Sequence, residues 1–131
     1  MKIQITLEES KKINAHVNGH IVRTDQPVMG GGENSAPAPY ELFLASIGTC
    51  AGIYIQSFCE QRGIPYKDIV IEQTMEWDRM AGKLGVLRLD VKLPAGFPEK
   101  YKESVIRSAE LCAVKKTIQD PPRFEVVTSQ A

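Results

Sequence analysis

The stretch from Pro39 to Gly63, PYELFLASIGTCAGIYIQSFCEQRG, limits what this chain can fold into more than any other part of it. Tyr40, Leu42, Phe43, Leu44, Ile47, Ile53, Tyr54, Ile55 and Phe58 fall on every face of a helix, with Glu41 near its start and no other charge before Glu60. A helix lying on a surface keeps one wet side, so this pattern predicts a central helix covered on most sides. Pro37 and Pro39 precede it, Arg62 sits in the last turn, Gly63 supplies the stop and Pro65 follows. At about 1.5 Å per residue it would run roughly 35 Å, the width of a small domain. Its polar ends and its isolation in the chain argue against a membrane span. In its middle lies Cys50, flanked by Gly48, Thr49, Ala51 and Gly52, small residues that let another segment or a substrate come close to the sulfur.

The flanking segments alternate as strands do. Lys2 to Leu7 places Ile3, Ile5 and Leu7 on one face, and Lys11 to Val17 does the same with Ile13, Ala15 and Val17. Asn18-Gly19 then forms a two-residue hairpin turn. That turn predicts Val17 opposite His20, Ala15 opposite Val22 and Ile13 opposite Thr24, with Arg23 pointing away from the Ala15, Val17 and Val22 face. Residues 26–38 form a loop of Gly, Pro and small polar residues, expected to be a flexible lead-in to the helix. Its three consecutive glycines lack the Gly-Lys-Ser/Thr end of a phosphate loop, and no strand leads into it. Beyond the helix, Asp68 to Trp77 and Val86 to Leu93 alternate as a long hairpin. Pro98 opens a second helix predicted to run to about Val114, carrying Tyr101, Val105, Ser108 and Cys112 on one stripe, and Phe124 to Thr128 is expected as a final strand. The order is hairpin, long helix, hairpin, helix, strand: an α+β domain spanning 1–131.

Sixteen basic and sixteen acidic residues in 131 give zero net charge, which points to neither nucleic acid nor an anionic membrane as a partner. The opening MKIQITLEES alternates like a strand and has no apolar core of the kind a secretory signal carries. With three cysteines, an odd number, the expected compartment is the cytoplasm, where thiols stay reduced. A pair of cysteines that meets there is expected to be redox-active.

Cys59 lies nine residues after Cys50, which places it on the opposite helix face as a small packed hydrophobe. Cys50 and Cys112 each sit among apolar residues, and composition alone allows both to be structural. A metal site is not expected: there is no Cys-x-x-Cys, and His16 and His20 flank a hairpin turn. No cofactor motif is present, and no histidine stands near either helix to build a Cys/His hydrolase.

The run Pro39-Tyr40-Glu41-Leu42-Phe43-Leu44-Ala45-Ser46-Ile47-Gly48-Thr49-Cys50 resembles the signature helix of the OsmC/Ohr family of osmotically induced and organic-hydroperoxide-resistance proteins. Leu111-Cys112-Ala113-Val114 stands where that family carries its second cysteine, and the Thr24-Asp25 and Gly-rich loop and the closing Phe124 to Val127 segment also fit. The resemblance implies an α+β intertwined homodimer with two long central helices. It also implies a thiol peroxidase: a peroxide oxidises Cys50 to a sulfenic acid, Cys112 condenses with it to a disulfide, and a dithiol reductant restores the pair.

A peroxidatic cysteine must be a thiolate, and Cys50 lies some eleven residues into its helix, too far to gain from the N-terminal dipole. A neighbouring cation is therefore expected. In the hydroperoxide-resistance branch an N-terminal Arg, held by a Glu and donated across the dimer, fills that role. Here the candidates are Arg23 and Glu41, although Tyr40 occupies that branch's Glu position and the sequence around Arg23 differs from its Arg motif. Glu41 reads equally as a first-turn acid favoured by the helix dipole. Arg62, Lys115 and Lys116 are further cations to consider. The competing expectation is a dimer that binds a small hydrophobic or thiol ligand around Gly48, Cys50 and Gly52 without turnover.

Overall fold

The computed structural model of the protein describes residues 1–130. The chain is a mixed helix and strand fold, in the order β1 (Gln4–Leu7), β2 (Ile13–Val17), β3 (His20–Thr24), α1 (Pro39–Glu60), β4 (Val70–Asp78), β5 (Lys83–Lys92), α2 (Lys102–Ala109) and α3 (Ala113–Gln119). It forms two compact units, Met1–Ala45 and Ser46–Ala131.

In the first unit β1, β2 and β3 make an antiparallel sheet in that order. The hairpin register is the expected one: Val17 opposite His20, Ala15 opposite Val22, Ile13 opposite Thr24. Asn18 and Gly19 both take positive φ, 49° and 79°, the geometry a tight two-residue hairpin turn demands. The polar face is not uniformly wet. Asn14 is buried and donates to the Glu8 carboxylate at 2.5 Å. Asp25, just past β3, is wholly buried.

That carboxylate corrects the expectation of a flexible 26–38 loop. Oδ1 accepts the Gln26 N–H at 2.7 Å, while Oδ2 accepts the Ser35 hydroxyl at 2.6 Å and the N–H groups of Ser35 and Glu33 at 3.0 and 3.3 Å. The Ser35 hydroxyl and amide, followed by the amides of Gln26 and Glu33, hold the Asp25 carboxyl at about 2, below its ordinary 3.8. The loop folds around an anion, and a Cβ on Gly32 would stand 2.1 Å from the Gln26 carbonyl oxygen and 2.6 Å from Asp25 Oδ1.

The second unit packs the lower part of α1 on the β4–β5 hairpin and α2. Its core is Ala51, Ile55, Cys59, Ile64, Phe97, Val105 and Ala109, with Ile71, Leu89 and Val91 of the hairpin packed against it. Ile71 pairs with Val91, Gln73 with Leu89 and Met75 with Leu87, so one hairpin face is apolar except at Gln73. A register shift at Glu76/Trp77 leaves Gly85 unpaired, a bulge that ends the simple alternation. Helix α1 closes with a Schellman motif: Ile64 N–H reaches the Cys59 carbonyl at 2.9 Å, Gly63 N–H reaches Glu60 at 3.2 Å, and Gly63 takes φ 63°. Cys59 is fully buried here, as expected, and burial pushes its thiol up.

Three expectations are corrected. Only the stripe Ile47, Ala51, Ile55 and Cys59 of α1 is buried, at the four-residue spacing of a single helix face, while Tyr40, Phe43 and Ile53 remain exposed. The second helix is not continuous from Pro98 to Val114. A 3-10 turn over Glu99–Tyr101 leads into α2, the helix stops at Ala109, and α3 starts afresh at Ala113. Residues 124–128 form no strand within the chain, and Phe124, Val126 and Val127 are exposed. A strand needs a partner for its N–H and C=O groups, and among the described residues no strand pairs with that segment.

Candidate active site

The break after α2 is what creates the site. Cys112 takes an extended conformation (φ −50°, ψ 123°) as the N-cap residue of α3, and its Sγ accepts the Lys115 N–H at 3.4 Å. Cysteine is not among the usual capping residues, so the sequence carries only a weak signal for this start. The Cys112 side chain is fully buried against α1, with its S–H directed at the Ile47 carbonyl, 3.9 Å away.

Cys50, one turn below Ile47 on α1, is half-buried and reduced. Its thiol is held below its ordinary value by three groups of one short segment: first the Val114 N–H, then the Cys112 side chain, then the Ala113 N–H, with desolvation opposing them. The Cys112 S–H is thus aimed at the carbonyl one turn above Cys50, and the Cys112 side chain is among the groups that favour the Cys50 thiolate. Within the chain, the groups that favour the Cys50 thiolate are uncharged. N–H groups at a helix start are free to bind an anion, and a thiolate accepts from them as a carboxylate does.

Arg23 and Glu41 belong to the N-terminal unit. Arg23 is exposed on β3, opposite Asn14. Glu41 is engaged locally: its Oε2 accepts the Ala38 N–H at 2.8 Å, while the Leu42 N–H bonds the Ala38 carbonyl at 3.1 Å. With Ala38 as N-cap and Glu41 at N3, this is the glutamate half of a capping box, a first-turn role and one of the two expected for it. Arg62 lies over the Phe58 ring at 3.7 Å and donates to the Phe58 carbonyl at 3.0 Å, a clamp at the far end of α1. Lys115 contributes its backbone N–H to Cys112. The amides of Ala113 and Val114 are the functional groups that residue-by-residue inspection misses, since side-chain identity carries no sign of them. Among the described residues no three His, Cys, Asp or Glu side chains converge as a metal would require.

Small residues keep the helix around Cys50 approachable. A Cβ on Gly48 would meet Gln73 Oε1 at 2.7 Å, and one on Gly52 would touch Ile71 Cδ1 at 3.5 Å. The β4–β5 hairpin therefore lies close along this stretch of α1.

Solved structures share this fold. An osmotic stress induced and detoxification response protein from Psychrobacter arcticus matches with a TM-score of 0.75 at 18% identity, over 89% of this chain and 87% of that one. An OsmC-like protein from Mycoplasma pneumoniae matches at 0.66 and 16% identity, over 92% and 87%. An organic hydroperoxide resistance protein OsmC from Legionella pneumophila matches at 0.58 and 21% identity, over 90% and 88%. No curated protein shows significant similarity to the sequence. The model of the OsmC-like protein family matches residues 32–127, which takes in α1, both cysteines of the site and the 124–127 segment. With the family model spanning most of its length and the fold recurring in OsmC-like structures, the chain belongs to the OsmC family.

Proposed function

We propose that the protein is a cysteine-based thiol peroxidase that reduces organic hydroperoxides in the cytoplasm as an intertwined homodimer. The observation that carries this reading is the meeting of Cys50 with Cys112 and the Ala113 and Val114 amides, which favours a thiolate beside a second reduced thiol. Reactive cysteines are those with a depressed pKa and partial exposure, and Cys50 has both.

The Cys50 thiolate attacks one peroxide oxygen and the O–O bond breaks. The alcohol leaves with a proton and Cys50 becomes a sulfenic acid. The Cys112 sulfur then attacks the Cys50 sulfur, the hydroxyl departs as water with the Cys112 proton, and a disulfide joins the pair. An external dithiol exchanges with that disulfide and returns two thiols. The organic hydroperoxide resistance protein among the structural relatives supports a peroxide as oxidant.

Uncovered apolar surface supports the homodimer: Ile5 and Leu7 on the first sheet, Tyr40, Phe43 and Ile53 on α1, and Phe124, Val126 and Val127 in the tail. By length and composition α1 would also suffice to cross a membrane. Its buried stripe packs into a protein core instead, and a second copy is the cover we assign to the rest. Arg23, donated by that copy with Glu41 as its orienting acid, would stand as the cation beside the Cys50 thiolate.

The test is the intact mass of the reduced protein after one equivalent of cumene hydroperoxide. Wild type should lose two hydrogens, Cys112→Ser should gain one oxygen, and Cys50→Ser should not change. A wild type unaltered over minutes sinks the peroxidase reading and leaves the ligand-binding dimer, which a ligand-induced rise in Tm of Cys50→Ser would reveal.

A further inference from the structure

Helix α3 has seven residues, none of them buried, and ends at Asp120 ahead of Pro121-Pro122. Isolated helices of that length are marginal in water, so its order depends on how its ends are satisfied. The donors left free at a helix start are its first N–H groups, and here that of Lys115 goes to the Cys112 sulfur at 3.4 Å, while the Ala113 and Val114 amides favour a thiolate at Cys50. The Lys116 N–H, 3.1 Å from the Cys112 carbonyl, is the first to bond within the helix. Cys112, one half of the redox pair, is thus the N-terminal cap of α3.

We infer that oxidation of the Cys50–Cys112 pair uncaps α3, so that residues 113–119 are ordered in the dithiol form and loosened in the disulfide form. This inference rests on the peroxidase reading above. The chemistry weakens both sulfurs as acceptors at once. A Cys50 disulfide sulfur can no longer carry the negative charge that the Ala113 and Val114 amides favour, and charge-assisted hydrogen bonds are the strong ones. When Cys112 joins it, the two sulfurs close to about 2.05 Å. Cys112 Sγ must then leave its place 3.4 Å from the Lys115 N–H, and the proton it directs at Ile47 is lost.

Loosening also opens the buried half of the pair. Cys50 is half-exposed but Cys112 is fully buried, and a frayed α3 lets an external dithiol reach either sulfur of the disulfide. By linkage, whatever orders α3 favours the reduced pair by the same factor.

The experiment is hydrogen exchange by mass spectrometry on the whole protein, reduced with a phosphine or oxidised with diamide, a diazene that takes up two electrons and two protons as the disulfide forms. Diamide makes the disulfide whether or not the protein turns over peroxide, and intact mass reports it independently. With the disulfide formed, amides of 116–119 should exchange at least tenfold faster while the buried stripe of α1 stays protected. Reduced Cys112→Ala should show the same acceleration, and reduced Cys112→Ser, whose hydroxyl can cap, should not. A disulfide with unchanged exchange over 116–119 overturns the inference and leaves the peroxidase reading standing. Failure of the disulfide to form overturns both.

Discussion

The protein surrounds two acidic groups with hydrogen-bond donors that favour their anions, one in each unit, and the two differ in exposure. Asp25 gathers the amides of Gln26, Glu33 and Ser35 with the Ser35 hydroxyl; Cys50 gathers the amides of Val114 and Ala113 with the Cys112 thiol. Both consist of backbone N–H groups plus one side-chain donor, and both lower the pKa of the group they surround. Asp25 is wholly buried, and its anion organises a loop. Cys50 is half-exposed, so its sulfur can meet an outside molecule. Hydrogen bonding makes the anion, and exposure decides whether it is architecture or chemistry. Cys59 supplies the complement: buried without donors, its thiol is pushed the other way.

Substituting the two helix cysteines should show the largest difference. Cys50→Ser should lower hydroperoxide consumption, followed by a ferrous-xylenol assay, to the rate without protein. Cys59→Ala should keep turnover within about twofold while costing about 1–2 kcal/mol in urea unfolding, the usual range for a core substitution. Equal losses of turnover in both would erase the distinction drawn between them.

Next in size are the glycines beside each anion. Gly32→Ala forces a Cβ onto the Gln26 carbonyl and Asp25, backbone and hub that cannot yield, and should destabilise by about 2–4 kcal/mol. Gly48→Ala meets only the end of the flexible Gln73 side chain, and Ala gains up to about 1 kcal/mol of helix propensity. Its unfolding midpoint should stay close to wild type.

A subtler change removes one donor from Cys50. Ala113 is the first residue of α3, where proline is tolerated, and the extended Cys112 before it suits a following proline. Ala113→Pro should leave the fold intact and raise the Cys50 pKa, moving its pH profile of iodoacetamide modification to higher pH. A profile that stays put would remove Ala113 from the site.

The smallest effect is on acid stability. Asp25 titrates at about 2 folded against 3.8 ordinarily, so the unfolded chain binds the proton more readily. Its stabilisation is complete above pH 4 and is lost as pH falls through about 2. Asp25→Asn should flatten the fall in urea midpoint across that window; an unaltered slope would assign acid unfolding to other carboxylates.

Much of this was legible in the chain. Asn18-Gly19 set the first hairpin register because a two-residue turn admits one pairing, and Gly63 with Ile64 marked the end of α1 because only certain residues close a helix that way. Cys50 and Cys112 stood out once their motif was seen. The interruption at Ala109 was not legible: apolar spacing from Tyr101 to Cys112 suits a continuous helix, and Cys112 is a poor announcement of a new one. Phe124 to Val127 alternates like a strand, but strand pairing needs a partner edge that no local pattern reveals.

What the sequence determined by itself are the features that depend on short-range sterics and periodicity: turns, caps, the long apolar helix and the signature around Cys50. What only the tertiary structure decided is what surrounds each reactive atom. Cys50 and Cys112 are sixty-two positions apart in sequence, and the groups that tune Cys50 are main-chain amides identical in every residue but proline. A donor of that kind becomes visible only when folding aims it.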